Sequence, residues 1–143
     1  MLTNQRQANP GNIAVGVAGF YLPDLQPSHM KPHQDPSAAR TERLKHALSD
    51  LARDENTRLI TPQFRKEYKQ SKDRAATLAK RLKELRSFEY LGERRVASNE
   101  VERLGVPVKR LCFYRMIAGD ETRYYTFFLT PDDRVAFYHS TAQ

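Results

Sequence analysis

From Ser87 to the C-terminus the apolar residues of this chain recur at every second position, whereas before Ser87 they recur at every third or fourth. That change of period limits the fold more than any other feature. Phe88, Tyr90, Val106, Val108, Leu111, Phe113, Tyr125, Phe127, Leu129, Val135 and Phe137 are strand residues by type and by alternation. They predict strands near 87–95, 106–118, 121–130 and 134–139. Gly119-Asp120 is a tight hairpin signal, and Pro131-Asp132-Asp133 is a second turn. Residues 97–105 are polar and read as a loop.

The segment before Ser87 reads as two helices. Asp35 is a good N-cap with Pro36 at the first helical position, and Leu44, Ala47, Leu48 and Leu51 fall on one face. This helix is expected to end near Arg53, where Asp54-Glu55-Asn56 breaks the pattern. Thr61 and Pro62 open a second helix, expected to run unbroken to Leu85. Its stripe is Phe64, Tyr68, Ala75, Leu78, Leu82 and Leu85, with Ser71 and Lys72 as the weak spot. Helices first and an antiparallel meander second give an α+β layout, with long helices packed on one face of a four-stranded antiparallel sheet. Upstream, residues 12–22 are apolar with two glycines, and residues 23–36 hold Pro23, Pro27, Pro32 and Pro36. Proline lacks the amide donor a helix needs, so the second stretch reads as an extended strap. The organisation expected is a tail and strap over 1–36 and a single α+β domain over 37–143.

A chain of 143 residues is one domain's worth and buries enough surface to fold without a disulfide or metal staple. The single Cys112 excludes an intramolecular disulfide. No apolar run approaches the roughly 18 residues of a membrane span. Ile13 to Leu22 lacks the basic flank and small-residue cleavage site of a secretory signal, which makes the cytoplasm the default compartment. The net charge is +7, and residues 61–90 carry nine basic groups against four acidic ones. The excess therefore sits on the second helix. A basic helix can serve an anionic partner, or it can be a solvated face built from good helix formers.

The order of Thr61-Pro62, then Leu85-Arg86-Ser87-Phe88, then Tyr124-Tyr125-Thr126-Phe127 and Thr130-Pro131-Asp132-Asp133-Arg134-Val135 resembles the nuclear-transport-factor-2-like (cystatin-like) domains. In that family a curved antiparallel sheet wraps a long helix. Domains with this motif order follow the catalytic domain of serine-β-lactamase-like hydrolases. Ile13-Ala14 and Val17 to Pro23 resemble the stretch where those hydrolase domains end. The resemblance spans residues 12–140 and departs from the family at the longer loop 97–105. It implies that this chain is the accessory part, extracytoplasmic if it belongs to a secreted hydrolase.

Chemistry-bearing motifs are sparse. Ser28-His29-Met30-Lys31 matches S-x-x-K, yet Pro27 and Pro32 bracket it and no S-D-N or K-T-G partner is present in the sequence. His29 and His33 have zinc spacing only on a helix, which Pro32 opposes. His46 is expected at the core edge, and the strand carries His139 away from Asp132 and Asp133. Cys112, between Leu111 and Phe113, reads as a small buried hydrophobe. No metal or cofactor is expected, and catalysis is the less favoured reading.

The cluster Tyr114, Tyr124, Tyr125, Phe128 and Tyr138 with Arg110, Arg115 and Arg123 is more informative. Both faces of the long strands are apolar, and the helices can cover only one. The sequence reading places Tyr114, Tyr124 and Phe128 on the other face, as an interface, as a pocket, or as a surface filled by the N-terminal strap, because contiguous apolar patches mark binding sites. Leu78 and Leu82 are expected against Phe113 and Phe127. The function expected is a non-catalytic accessory or interaction domain that forms a homodimer or docks to an adjoining hydrolase domain. The first alternative is a small-molecule-binding domain or small enzyme with its pocket between sheet and helix. The second is anion or nucleic-acid binding through the basic helix 62–86, with no specific nucleic-acid complex expected at physiological salt.

Overall fold

The computed structural model describes residues 30–55, 57–96, 102–103 and 106–142. The described residues hold three helices: α1 (Ala38–Arg53), α2 (Pro62–Tyr68) and α3 (Lys72–Lys83). The strands are β1 (Leu85–Arg95), β2 (Glu102–Arg103), β3 (Val106–Pro107), β4 (Arg110–Ala118), β5 (Glu121–Leu129) and β6 (Val135–Ala142). An antiparallel sheet of order β1-β4-β5-β6 carries the helices, and β2 pairs with β3 as a separate two-stranded ladder. This is the α+β class expected from the change of period.

Capping shows where the sequence reading was offset. Ser37, not Asp35, caps α1, and its hydroxyl accepts from the Arg40 N–H at 3.1 Å. Asp35 instead accepts from the Ser37 N–H at 2.9 Å and bonds the Thr41 hydroxyl, so it braces the turn before the helix. The α1 stripe of Leu44, Ala47, Leu48 and Leu51 is buried as expected, and Asp54 ends the helix in the left-handed region at φ 57°. Thr61 caps α2 with Pro62 at the first helical position.

The expected single helix from Pro62 to Leu85 is in fact two. It breaks after Tyr68, and Ser71 starts α3 from an extended backbone. A continuous helix would turn Ser71 and Lys72 toward the core at the weak spot in the stripe. The break leaves Ser71 half-buried and Lys72 exposed. α1 packs on α3, while α2 reaches β6.

Both expected hairpins form. Ala118 pairs with Glu121 across Gly119-Asp120, and Gly119 takes φ 58°, as the first position of a II′ turn requires. Asp133 takes φ 62° in the second turn, where its N–H donates to the Thr130 carbonyl at 2.9 Å. Register shifts in β1 lie between Leu85 and Ser87 and between Tyr90 and Gly92, and one in β6 leaves Ala136 extra. Such bulges bend a strand and increase its twist. Two expectations fail near 97–110. Residues 102–103 are strand rather than loop, and the expected strand 106–118 is interrupted, with only 110–118 in the main sheet.

Register fixes the faces, because residues directly opposite one another share one. Cys112, Tyr114 and Met116 pair with Phe127, Tyr125 and Arg123, and Phe127 pairs with Tyr138. This set meets the helices, and its buried members form the main core with Leu44, Leu48, Phe64, Tyr68 and Leu78. Phe113 belongs to the opposite face, so Leu78 packs in a core with Phe127 but not with Phe113, and Leu82 is only half-buried. The opposite face holds two smaller clusters. One is Leu91, Phe113 and Tyr124 with Met30 and Leu111; the other is Val106, Val108, Phe128 and Ala136.

Candidate functional site

The eight residues of the aromatic and arginine cluster do not form one patch, and Tyr125 belongs to the main core. Tyr114 lies under α1, fully buried, with its hydroxyl 2.9 Å from Thr41 Oγ1. That corrects its placement on the face away from the helices, and Tyr138 is likewise on the helix side. Tyr124 and Phe128 do lie on the other face, but each is only 6% exposed. The expectation of an open aromatic surface there fails, because both rings are already covered. Arg115 pairs with Glu89 at 2.6 Å on β1, and Arg123 donates to Ser140 on β6 and pairs with Glu121 at 3.3 Å.

Arg110 joins a charged cluster that the sequence reading missed. Arg40, on the first turn of α1, is 6% exposed and donates to Glu93 Oε1 at 2.5 Å. The same oxygen accepts from the Tyr90 hydroxyl at 3.0 Å. Arg110 Nε is 3.3 Å from the other Glu93 oxygen, and its Nη1 donates to Asp133 at 3.3 Å. Arg43 reaches Asp133 at 3.6 Å. Three guanidiniums on two carboxylates tie α1, β1, β4 and the β5–β6 turn together. Glu93 Oε1 takes both the Arg40 guanidinium and the Tyr90 hydroxyl, which makes this carboxylate a clamp between α1 and β1. One signal was available: Arg40 precedes Leu44 by one helical turn and so lies on the buried stripe.

The space between helices and sheet is filled with rings. Phe88 and Tyr114 stack with centroids 4.5 Å apart, and Tyr125 lies 5.5 Å from Tyr138 and 5.9 Å from Phe127. The Tyr68 and Tyr138 hydroxyls are 3.1 Å apart. Burial pushes the Tyr114 phenol up to about 12 and raises Tyr68, Tyr90, Tyr125 and Tyr138 as well. The same cause pushes the Cys112 thiol up to about 12. A nucleophilic cysteine needs the opposite shift, so Cys112 is the inert hydrophobe its strand position predicts.

Of the S-x-x-K motif, Ser28 and His29 lie outside the described residues. Met30 packs near Gly92, and His33 is exposed, with its backbone N–H donating to the Tyr90 carbonyl at 3.1 Å. His46 is exposed rather than at the core edge. His139 stands on β6 opposite Thr126, beside the Phe128 ring at 6.1 Å. Among the described residues no group of three or more His, Cys, Asp or Glu side chains is placed to hold a metal ion, and no helix is long and apolar enough to cross a membrane.

Open space lies on the surface: a hollow of about 590 Å³ beside the end of α3 is lined by Lys80, Arg81, Glu84, Asp120 and Glu121 among others, and two more flank the joint between α1 and α2. Ile60 bridges in parallel to Val135, so residues 59–61 meet the outer edge of β6. One hollow of about 480 Å³ is lined by Arg43, Arg58, Ile60, Pro62 and Arg134 among others. A second, of about 240 Å³, is lined by Ile60, Pro62, Arg65, Lys66 and Lys69. Because the two share Thr57, Ile60 and Pro62, they form one groove with an apolar floor and cationic walls. The β-branched pair Ile60-Thr61 was the sequence signal for this edge segment. Comparison of the chain with protein-family models, with curated proteins and with solved structures finds no match.

Proposed function

We propose that this chain is a non-catalytic interaction domain of the nuclear-transport-factor-2-like kind, which docks to a serine-hydrolase domain or to a second copy of itself. The supporting observation is the way its space is used. The helix–sheet interface, where a small-molecule pocket would open, is packed with stacked rings, whereas the surface carries a continuous groove. Helices on one face of an antiparallel sheet with bulged strands suit the family resemblance. The docking surface proposed here is the groove side of the molecule, since the aromatic sheet face is covered.

Sedimentation velocity at two concentrations, with and without an added serine-β-lactamase-like domain, tests this reading beside a thermal-shift screen of small molecules. A concentration-dependent dimer, or a complex with the added domain, supports it. A saturable thermal shift with a small molecule, and neither kind of assembly, sinks it.

A further inference from the structure

We infer that the groove around Ile60 and Pro62 is a docking site for an acidic, extended peptide segment of a partner protein. The inference deepens the interaction reading above and rests on it. Six cations border the groove: Arg43, Arg58, Arg65, Lys66, Lys69 and Arg134. The carboxylates that meet them are three. Asp54 pairs with Arg65 at 3.3 Å and Lys69 at 3.5 Å, Asp132 with Arg134 at 3.0 Å, and Asp133 with Arg43 at 3.6 Å. Arg58 and Lys66 are exposed and have no ion pair among the described residues. The wall thus keeps a surplus of positive charge, and most of its ion pairs are loose enough to be exchanged. Exposed pairs contribute little, so a partner's carboxylate can replace the internal one at small cost.

The floor decides between kinds of anion. The exposed Pro62 and the half-buried Leu59 offer apolar contact among the cations, which suits apolar side chains of a peptide. Single strands of nucleic acid bind on exposed aromatic platforms, and the nearest rings, Phe64 and Tyr68, are buried. The three aspartates spaced among the cations would also repel the dense, regular charge of a phosphate backbone. Carboxylates separated by apolar residues match the pattern better.

The test is fluorescence anisotropy on the full chain at physiological ionic strength. The probes are a fluorescein-labelled peptide alternating glutamate and valine, its glutamine counterpart, and a labelled oligothymidine. The glutamate peptide should bind saturably and the glutamine peptide at least about tenfold more weakly. The double substitution Arg58→Glu with Lys66→Glu should weaken binding about tenfold or more while leaving the thermal midpoint in place, because both side chains are exposed. Lys80→Glu with Lys83→Glu, on the far part of α3, should change nothing. Equal loss in that control pair would mean diffuse attraction and would overturn the inference. So would tighter binding of oligothymidine, or no saturable binding of the glutamate peptide. A chain that assembles in sedimentation yet ignores the peptide loses this inference alone; one that does neither loses the interaction reading too.

Discussion

Alkali is expected to unfold this protein in one cooperative step, driven by side chains that keep their protons while folded. Cys112 is pushed from 9.0 to about 12 and Tyr114 from 10.0 to about 12, chiefly by burial. Above the ordinary value the unfolded chain gives up each proton and the folded chain holds it. The folded state therefore binds more protons, and stability falls as pH rises. Each pH unit crossed in that window removes about 1.4 kcal/mol per group. Crossing it fully removes about 4 kcal/mol through Cys112 and about 3 kcal/mol through Tyr114. Tyr90 and Tyr138 are also raised by burial and add to the slope in the same direction. The sum rivals the whole stability of a typical domain, about 5–15 kcal/mol. The assay is a pH titration followed at once by tyrosinate absorbance and far-ultraviolet circular dichroism. The two should change together, later than free tyrosine and over a narrow range. Tyr114→Phe should flatten the slope by about 1.4 kcal/mol per pH unit. A gradual rise of tyrosinate near the ordinary phenol value, with the circular dichroism still native, would mean that these rings meet water and that the core is wrongly described.

Other perturbations separate the parts of the fold. Leu78→Ala, at 1% exposure, should cost about 2–5 kcal/mol in urea unfolding, and Leu82→Ala clearly less because that side chain is only half-buried. Tyr124→Glu should lose the native circular dichroism rather than give a folded monomer, since it puts a charge in a cluster with Leu91 and Phe113. Arg40→Ala should cost about 1–3 kcal/mol, because Glu93 is part-exposed and keeps Tyr90 and Arg110, and Arg40→Met with Glu93→Leu together should cost less than the two single changes added. Native Cys112 should react with iodoacetamide only at the rate of unfolding, so reaction at the rate of an exposed thiol would refute its burial.

The fold class was legible because period alone carries it. The α1 stripe and the strands from β4 to β6 follow from spacing and turn residues, although β4 starts four residues later than expected and β6 ends three residues later. Face assignment was not legible. On β4 both alternating sets are bulky, Cys112, Tyr114 and Met116 on one side and Leu111, Phe113 and Ile117 on the other. Alternation separates such sets but does not say which meets the helices; register across β5 does. The helix break at Ser71 was visible as a gap in the stripe, and its consequence appears only when a continuous helix would have to bury Lys72. The clamp around Glu93 joins residues 40, 93, 110 and 133, and pairings that distant leave no local trace in the sequence. The groove depends on one backbone bridge between Ile60 and Val135, which is equally non-local.

That bridge also bears on the order in which the fold can assemble. The hairpins from β4 to β6 close short loops and can form early. Residues 59–61, although made long before β6, have no strand to bridge until Val135 arrives, and α2 meets β6 in the same part of the molecule. During synthesis the apolar stripes of α1 and α2 therefore wait uncovered while the whole meander is added. Closing Ile60 onto Val135 is a long-range, entropically costly contact, so it belongs late on the folding route. A change that weakens only this bridge should leave the folding rate nearly unchanged and speed unfolding, which makes the seam between the helix layer and the last strand the place where the native state first comes apart.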